Sequence, residues 1–124
     1  MKVFRCSKCG NIVMMLNEGG GTLTCCGEAM QELDANTTDA ALEKHVPDVS
    51  IDGDKAIVQV GSVAHPMLEE HFIQWIYMET EDGAGQIQYL KPGAEPKAEF
   101  PLNGKKPSAV YEYCNLHGFW KKEL

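Results

Sequence analysis

The chain has 124 residues, and its 18 acidic side chains outnumber 11 basic ones to leave a net charge of −7. No run of Lys or Arg exceeds two, so the clustered positive charge that a nucleic-acid backbone demands is missing. No stretch approaches the roughly 20 apolar residues needed to cross a bilayer, and the start MKVFRCSKCG carries no hydrophobic signal segment, so a soluble cytoplasmic protein with reduced thiols is expected.

The length suits one ordinary domain, or a small module joined to a domain of about 85–90 residues. Residues 1–35 are rich in Gly and Cys, with Gly19, Gly20 and Gly21 between short apolar runs at 12–16 and 22–24. That pattern predicts a hairpin-and-turn module too small to hold together without a metal, a disulfide or a partner subunit. The remainder, 36–124, opens with a polar connection, in which a short helical turn is expected at 39–43 and Pro47 would stop it.

Strands follow. Residues 55–61 alternate, with Ala56, Val58 and Val60 opposite Ile57 and Gln59. Residues 71–78 are rich in aromatic and β-branched side chains and are expected to place His71, Ile73, Trp75 and Tyr77 on one face. Residues 86–90, 97–100 and 108–113 read as further short strands between Gly, Pro and Asn turns, which predicts an antiparallel sandwich or small barrel.

Two groups of residues carry chemistry. The first is Cys6-Ser7-Lys8-Cys9-Gly10, followed after fifteen residues by Cys25-Cys26-Gly27. Two thiolates two residues apart can meet one metal from a tight turn, and four soft thiolates suit tetrahedral zinc or iron with no position left for a substrate. Adjacent side chains diverge, so joint ligation by Cys25 and Cys26 requires the peptide between them to bend. A disulfide or a buried free thiol is the alternative.

The second group is dispersed. The chain has four histidines, His45, His65, His71 and His117, and each falls near a turn or a strand end, where a sandwich gathers distant loops at one rim. Cys114 and His117 form a further two-residue-spaced pair closed by Gly118. Singly, each histidine could equally be a surface or hydrogen-bonded residue. Jointly, four imidazoles and one thiolate would fill five positions of a metal that accepts six, which points to iron rather than zinc and keeps one position for chemistry.

Taken in order, CSKCG, TCCGEAM, EKHVP, GSVAHPMLEEHFIQWI and YEYCNLHGFW resemble the desulfoferrodoxin family, the two-iron form of superoxide reductase, over essentially the full chain. The resemblance implies a desulforedoxin-like iron centre held by Cys6, Cys9, Cys25 and Cys26 in the module at 1–35. It implies a catalytic ferrous centre, held by His45, His65, His71 and His117 with Cys114 as axial thiolate, in an immunoglobulin-like β-sandwich at 36–124. It further implies a homodimer that reduces superoxide to hydrogen peroxide without releasing oxygen and is re-reduced by a small donor such as rubredoxin. Lys44 would guide the anion and serve proton transfer, and Glu43 would close the sixth position of the resting ferric site. The rival readings are an electron-transfer protein whose second centre is blocked, and a zinc-stabilised binding module.

Overall fold

Short apolar runs interrupted by glycine cannot sustain long elements, and the first 34 residues accordingly form five strands of two or three residues each. These are β1 (Val3–Arg5), β2 (Ile12–Met14), β3 (Thr24–Cys25), β4 (Glu28–Ala29) and β5 (Gln31–Glu32). In the computed structural model, which describes residues 1–124, the chain divides into two units, Met1–Asp34 and Ala35–Leu124. In the first, β2, β1 and β5 form one small antiparallel sheet, and β3 pairs with β4 in a hairpin. Only Val3 and Cys6 are buried there, while Leu16, at the end of an expected apolar run, is exposed.

The second unit begins with a single helical turn, α1 (Leu42–His45), slightly later than the expected 39–43. Val46 after it is extended, as a residue before proline prefers. Seven strands follow: β6 (Pro47–Asp52), β7 (Lys55–Val60), β8 (Ile73–Thr80), β9 (Gly85–Tyr89), β10 (Lys97–Pro101), β11 (Pro107–Cys114) and β12 (Gly118–Glu123). They form two antiparallel sheets, ordered β10-β7-β6 and β12-β11-β8-β9. The alternation at 55–61 does what its period predicts, since Ala56, Val58 and Val60 are wholly buried. With Ala98 and Phe100 they share one hydrophobic cluster with Ile73, Ile76, Met78, Val110 and Cys114 of the other sheet.

One expectation fails in an instructive way. His71 lies before β8, and Ile73 and Trp75 do not share a face. The pairing of β8 with β11 shifts between Ile73 and Trp75, which oppose Cys114 and Tyr113 respectively, so Gln74 is an extra residue. Such a bulge reverses side-chain parity. Ile73 therefore joins the cluster with Ile76 and Met78, while Trp75 stacks on Tyr113 at 5.9 Å. Tyr111 and Phe119, stacked at 5.5 Å, belong to the same aromatic layer.

Candidate metal centres

In the first unit the two cysteine pairs sit on two turns. Cys6 follows β1, and its turn is closed by hydrogen bonds from the Cys6 amide to the Asn11 carbonyl (2.9 Å) and from the Gly10 amide to the Cys6 carbonyl (3.0 Å). Cys25 ends β3, and Cys26-Gly27 is the two-residue loop to β4, with positive φ at both positions (53° and 77°). That is the loop whose twist matches a tight hairpin, and it supplies the bend that adjacent ligands require.

The four sulfurs lie within 4.8 Å of one another. Cys9 and Cys25 Sγ are 3.5 Å apart and Cys25 and Cys26 Sγ 3.9 Å. A disulfide requires about 2.05 Å, whereas sulfurs bound tetrahedrally at about 2.3 Å from one metal are about 3.8 Å apart. The spacing is that of a metal site, and all four cysteines are free. Amide hydrogens of Cys9 and Lys8 pull the Cys6 thiol down to about 6, while neighbouring thiols, Cys9 first, push Cys26 up to about 12. Four thiolates so close together need a cation to share.

In the second unit five donors come from four chain segments. His45 ends α1, His65 lies between β7 and β8, His71 precedes β8, and Cys114 and His117 flank the turn from β11 to β12. Their donor atoms also lie within 4.8 Å of one another. The four imidazoles close a ring in the order His45, His65, His71, His117, with successive centroids 4.6, 4.6, 4.9 and 4.8 Å apart and planes 78–86° apart. Across that ring, His45 and His71 are 6.4 Å apart.

The protons settle what the ring can hold. His45 Nδ1 faces the Ala41 carbonyl at 2.7 Å and His65 Nδ1 faces the Pro66 carbonyl at 2.6 Å, so each must donate there. In a neutral ring Nε2 then presents a lone pair. The two Nε2 atoms are nevertheless 3.1 Å apart, and His45 Nε2 is also 3.1 Å from His117 Nδ1. His71 Nε2 is buried with no hydrogen-bond partner. Burial holds His45 and His71 below the ordinary imidazole value and pushes His65 down to about 4, which keeps these rings neutral. The facing lone pairs of His45 and His65, with no proton between them, fit a metal cation. Nitrogens bound at right angles about 2.1 Å from one metal would be about 3.0 Å apart.

Cys114 is wholly buried, with its sulfur 4.0 Å from His117 Nδ1. Burial pushes its thiol up, and the amides of His117 and Leu116 oppose that by donating to it. Trp120 packs against His45 with centroids 4.9 Å apart and planes tilted by 30°, and donates from Nε1 to the His117 carbonyl at 3.0 Å. Glu43 and Lys44 are exposed on α1, and none of the six ion pairs involves Lys44. The Glu43 charge favours protonation of His45, and the Lys44 charge opposes that of His71.

Several contributors were not identified from sequence. Gly61 packs so closely on α1 that a Cβ there would lie 2.6 Å from the Glu43 carbonyl oxygen and 2.8 Å from that of Val46. Glu112 is fully buried with both carboxyl oxygens unpartnered, and burial drives its carboxyl well above the usual range. The alternation of YEYC does put Glu112 on the face that carries Cys114, a signal that was available. No signal of that kind exists for Gly61.

A four-thiolate site in one unit and a four-imidazole, one-thiolate site in an antiparallel β unit define a non-haem metalloprotein with two distinct centres. The desulfoferrodoxin profile matches residues 37–123, and the profile of the desulfoferrodoxin N-terminal domain matches residues 1–33. A desulfoferrodoxin from Syntrophotalea carbinolica is 53% identical over 123 residues, spanning 99% of this chain and 96% of its own. The superoxide reductase from Treponema pallidum superposes with a TM-score of 0.80 at 34% identity, covering 98% of both chains. A one-iron superoxide reductase from Giardia intestinalis gives 0.54 at 34% identity, covering 66% of this chain and 99% of that one. The chain belongs to the desulfoferrodoxin family.

Proposed function

We propose that this protein is a superoxide reductase whose reaction takes place at the ring of His45, His65, His71 and His117 with Cys114. The observation that carries this reading is the convergence of five donor atoms within 4.8 Å, with the Nε2 lone pairs of His45 and His65 facing each other and no proton between those two. When bound, iron in this donor set supplies one electron to superoxide, which with two protons becomes hydrogen peroxide, and no dioxygen is made. Cys6, Cys9, Cys25 and Cys26 hold the second iron with no donor position open.

The chain's own residues divide the remaining work. Cys114 would give a bound metal a thiolate, which two amide hydrogens favour against the effect of burial, and such a donor raises electron density at the metal. Lys44 draws the anion toward the ring and hands on protons from water, which its exposure and lack of an ion pair favour. Glu43, exposed two residues before His45, is the carboxylate that would supply a further oxygen donor to the oxidised iron. Residues 1–35 act as the four-cysteine module and 36–124 as the catalytic domain, whose two sheets about one core we assign to the immunoglobulin-like sandwich class.

The electron donor is a small one-electron carrier such as rubredoxin. Leu42, Leu68 and Leu116, exposed within three residues of ligands, favour a partner docking by apolar contact. A homodimer accords with the slight core of the first unit and with the edge strand β9, where Ile87 and Tyr89 are exposed. No helix is long and apolar enough to cross a membrane, and the free cysteines suit the reducing cytoplasm.

The test is rapid mixing of the iron-loaded, reduced protein with superoxide. Oxidation of the histidine site within milliseconds is expected. No reaction would instead favour the blocked electron carrier, and two zinc ions in protein made under native conditions would favour a structural module.

A further inference from the structure

His71 is the weak point of the imidazole ring. His45 and His65 are each fixed through Nδ1 to a backbone carbonyl, and the carbonyl of His117 is tied down by Trp120. No backbone carbonyl anchors the His71 side chain in this way, and the residue is less buried than His45 and His65. Its orientation must therefore come from its backbone.

Two devices hold that backbone. One is the bridge between Leu68 and His71, closed by hydrogen bonds of 2.9 and 3.1 Å. The other is Asn115, which lies in the ligand turn between Cys114 and His117. Its Oδ1 accepts from the Phe72 amide at 2.9 Å, its Nδ2 donates to the Glu70 carbonyl at 3.1 Å, and its own amide donates to the Phe72 carbonyl at 3.2 Å. One carboxamide thus grips the residues on both sides of His71 and ties them to the segment that carries Cys114 and His117. Only an amide supplies both the donor and the acceptor at that length.

We propose that Asn115 is the positioning residue that places His71 in the imidazole ring, by clasping the Glu70–Phe72 segment to the Cys114–His117 turn. The proposal rests on the reading of the ring as the iron site. Groups outside the ligand set that orient the ligands commonly govern metal affinity by about 10–100-fold.

The test compares Asn115→Ala, Asn115→Asp and Asn36→Ala in the iron-loaded protein. Asn36 is a matched control, since its side chain also makes two backbone hydrogen bonds, to the Lys121 amide and carbonyl, at a position bearing no ligand. The readouts are the rate at which a ferrous chelator strips the histidine site and the visible spectrum of that site when oxidised, with the four-cysteine spectrum as internal reference.

Asn115→Ala is expected to release iron roughly 10-fold faster with a shifted spectrum. Asn115→Asp keeps the acceptor for Phe72 but sets an oxygen against the Glu70 carbonyl, and should fall between. Asn36→Ala should lower thermal stability while leaving both readouts unchanged. Wild-type release and spectrum in Asn115→Ala, equal acceleration in Asn36→Ala, or wild-type behaviour in Asn115→Asp would overturn the two-sided clasp. Wild-type protein that holds no iron at the ring would instead refute the underlying site.

Discussion

The substrate is an anion and the chain carries a net charge of −7, so capture depends on what lies beside the ring. Lys105, Lys106 and Lys121 are paired with Asp82, Glu81 and Glu123, respectively. Lys44 is in no such pair, and its field reaches His71. Lys44→Ala should therefore slow superoxide capture by roughly 10-fold at low salt, with the difference shrinking as salt screens the charge. Stopped-flow mixing at two ionic strengths measures this, and an unchanged rate at low salt would remove Lys44 from the account. At this scale the sequence was a good guide to donors, because Cys6 and Cys9, or Cys114 and His117, announce themselves by spacing. It was a poor guide to what aims them. Asn115, Gly61 and the packing of Trp120 on His45 depend on segments that meet only after folding.

Elements position the donors through turns more than through strands. Gly61 seats α1, and the turn after it holds α1 by hydrogen bonds from Val63 N and Ser62 Oγ to the Glu43 carbonyl (2.9 and 3.3 Å). Gly61→Ala would force a methyl against two backbone oxygens, at a cost of about 1–3 kcal/mol, and would displace His45 with α1. Denaturant unfolding and the visible spectrum of the histidine site should both change, and a shift in neither would contradict the close approach.

The hairpin between β8 and β9 gives a test by pH. The Thr80 hydroxyl, then Lys105 and the Ala84 amide, hold the Asp82 carboxyl at about 2, below its ordinary 3.8. A depressed carboxyl stabilises the fold fully above its unfolded value and loses that contribution as pH falls through the folded one. Asp82→Asn should thus melt only slightly lower near neutrality, because the group is exposed and screened, with the gap closing between about pH 4 and about pH 2. A gap independent of pH would show that the charge is not involved. Strand faces were legible where alternation is strict, as at Ala56, Val58 and Val60, and misread where Gln74 bulges. β6, largely exposed, and β12, whose Phe119 and Trp120 are buried in succession, lack the alternation that would have marked them.

Across the whole molecule, each centre draws all its donors from one unit: the cysteine site from Met1–Asp34 and the histidine site from Ala35–Leu124. The first unit buries only Val3 and Cys6, so its metal supplies most of what holds it folded. Cys26→Ser should therefore abolish the four-cysteine spectrum and loosen residues 1–34, while the histidine site still reacts with superoxide at its usual rate. Hydrogen exchange and rapid mixing on the same variant check both halves. A dead histidine site would show that the two centres do not stand independently. The central claim concerns product, and its most direct measurement is the yield of peroxide and dioxygen when reduced protein meets a limiting amount of superoxide. Reduction predicts one hydrogen peroxide for each superoxide consumed and no dioxygen. One peroxide for every two superoxides, with dioxygen evolved, would contradict it.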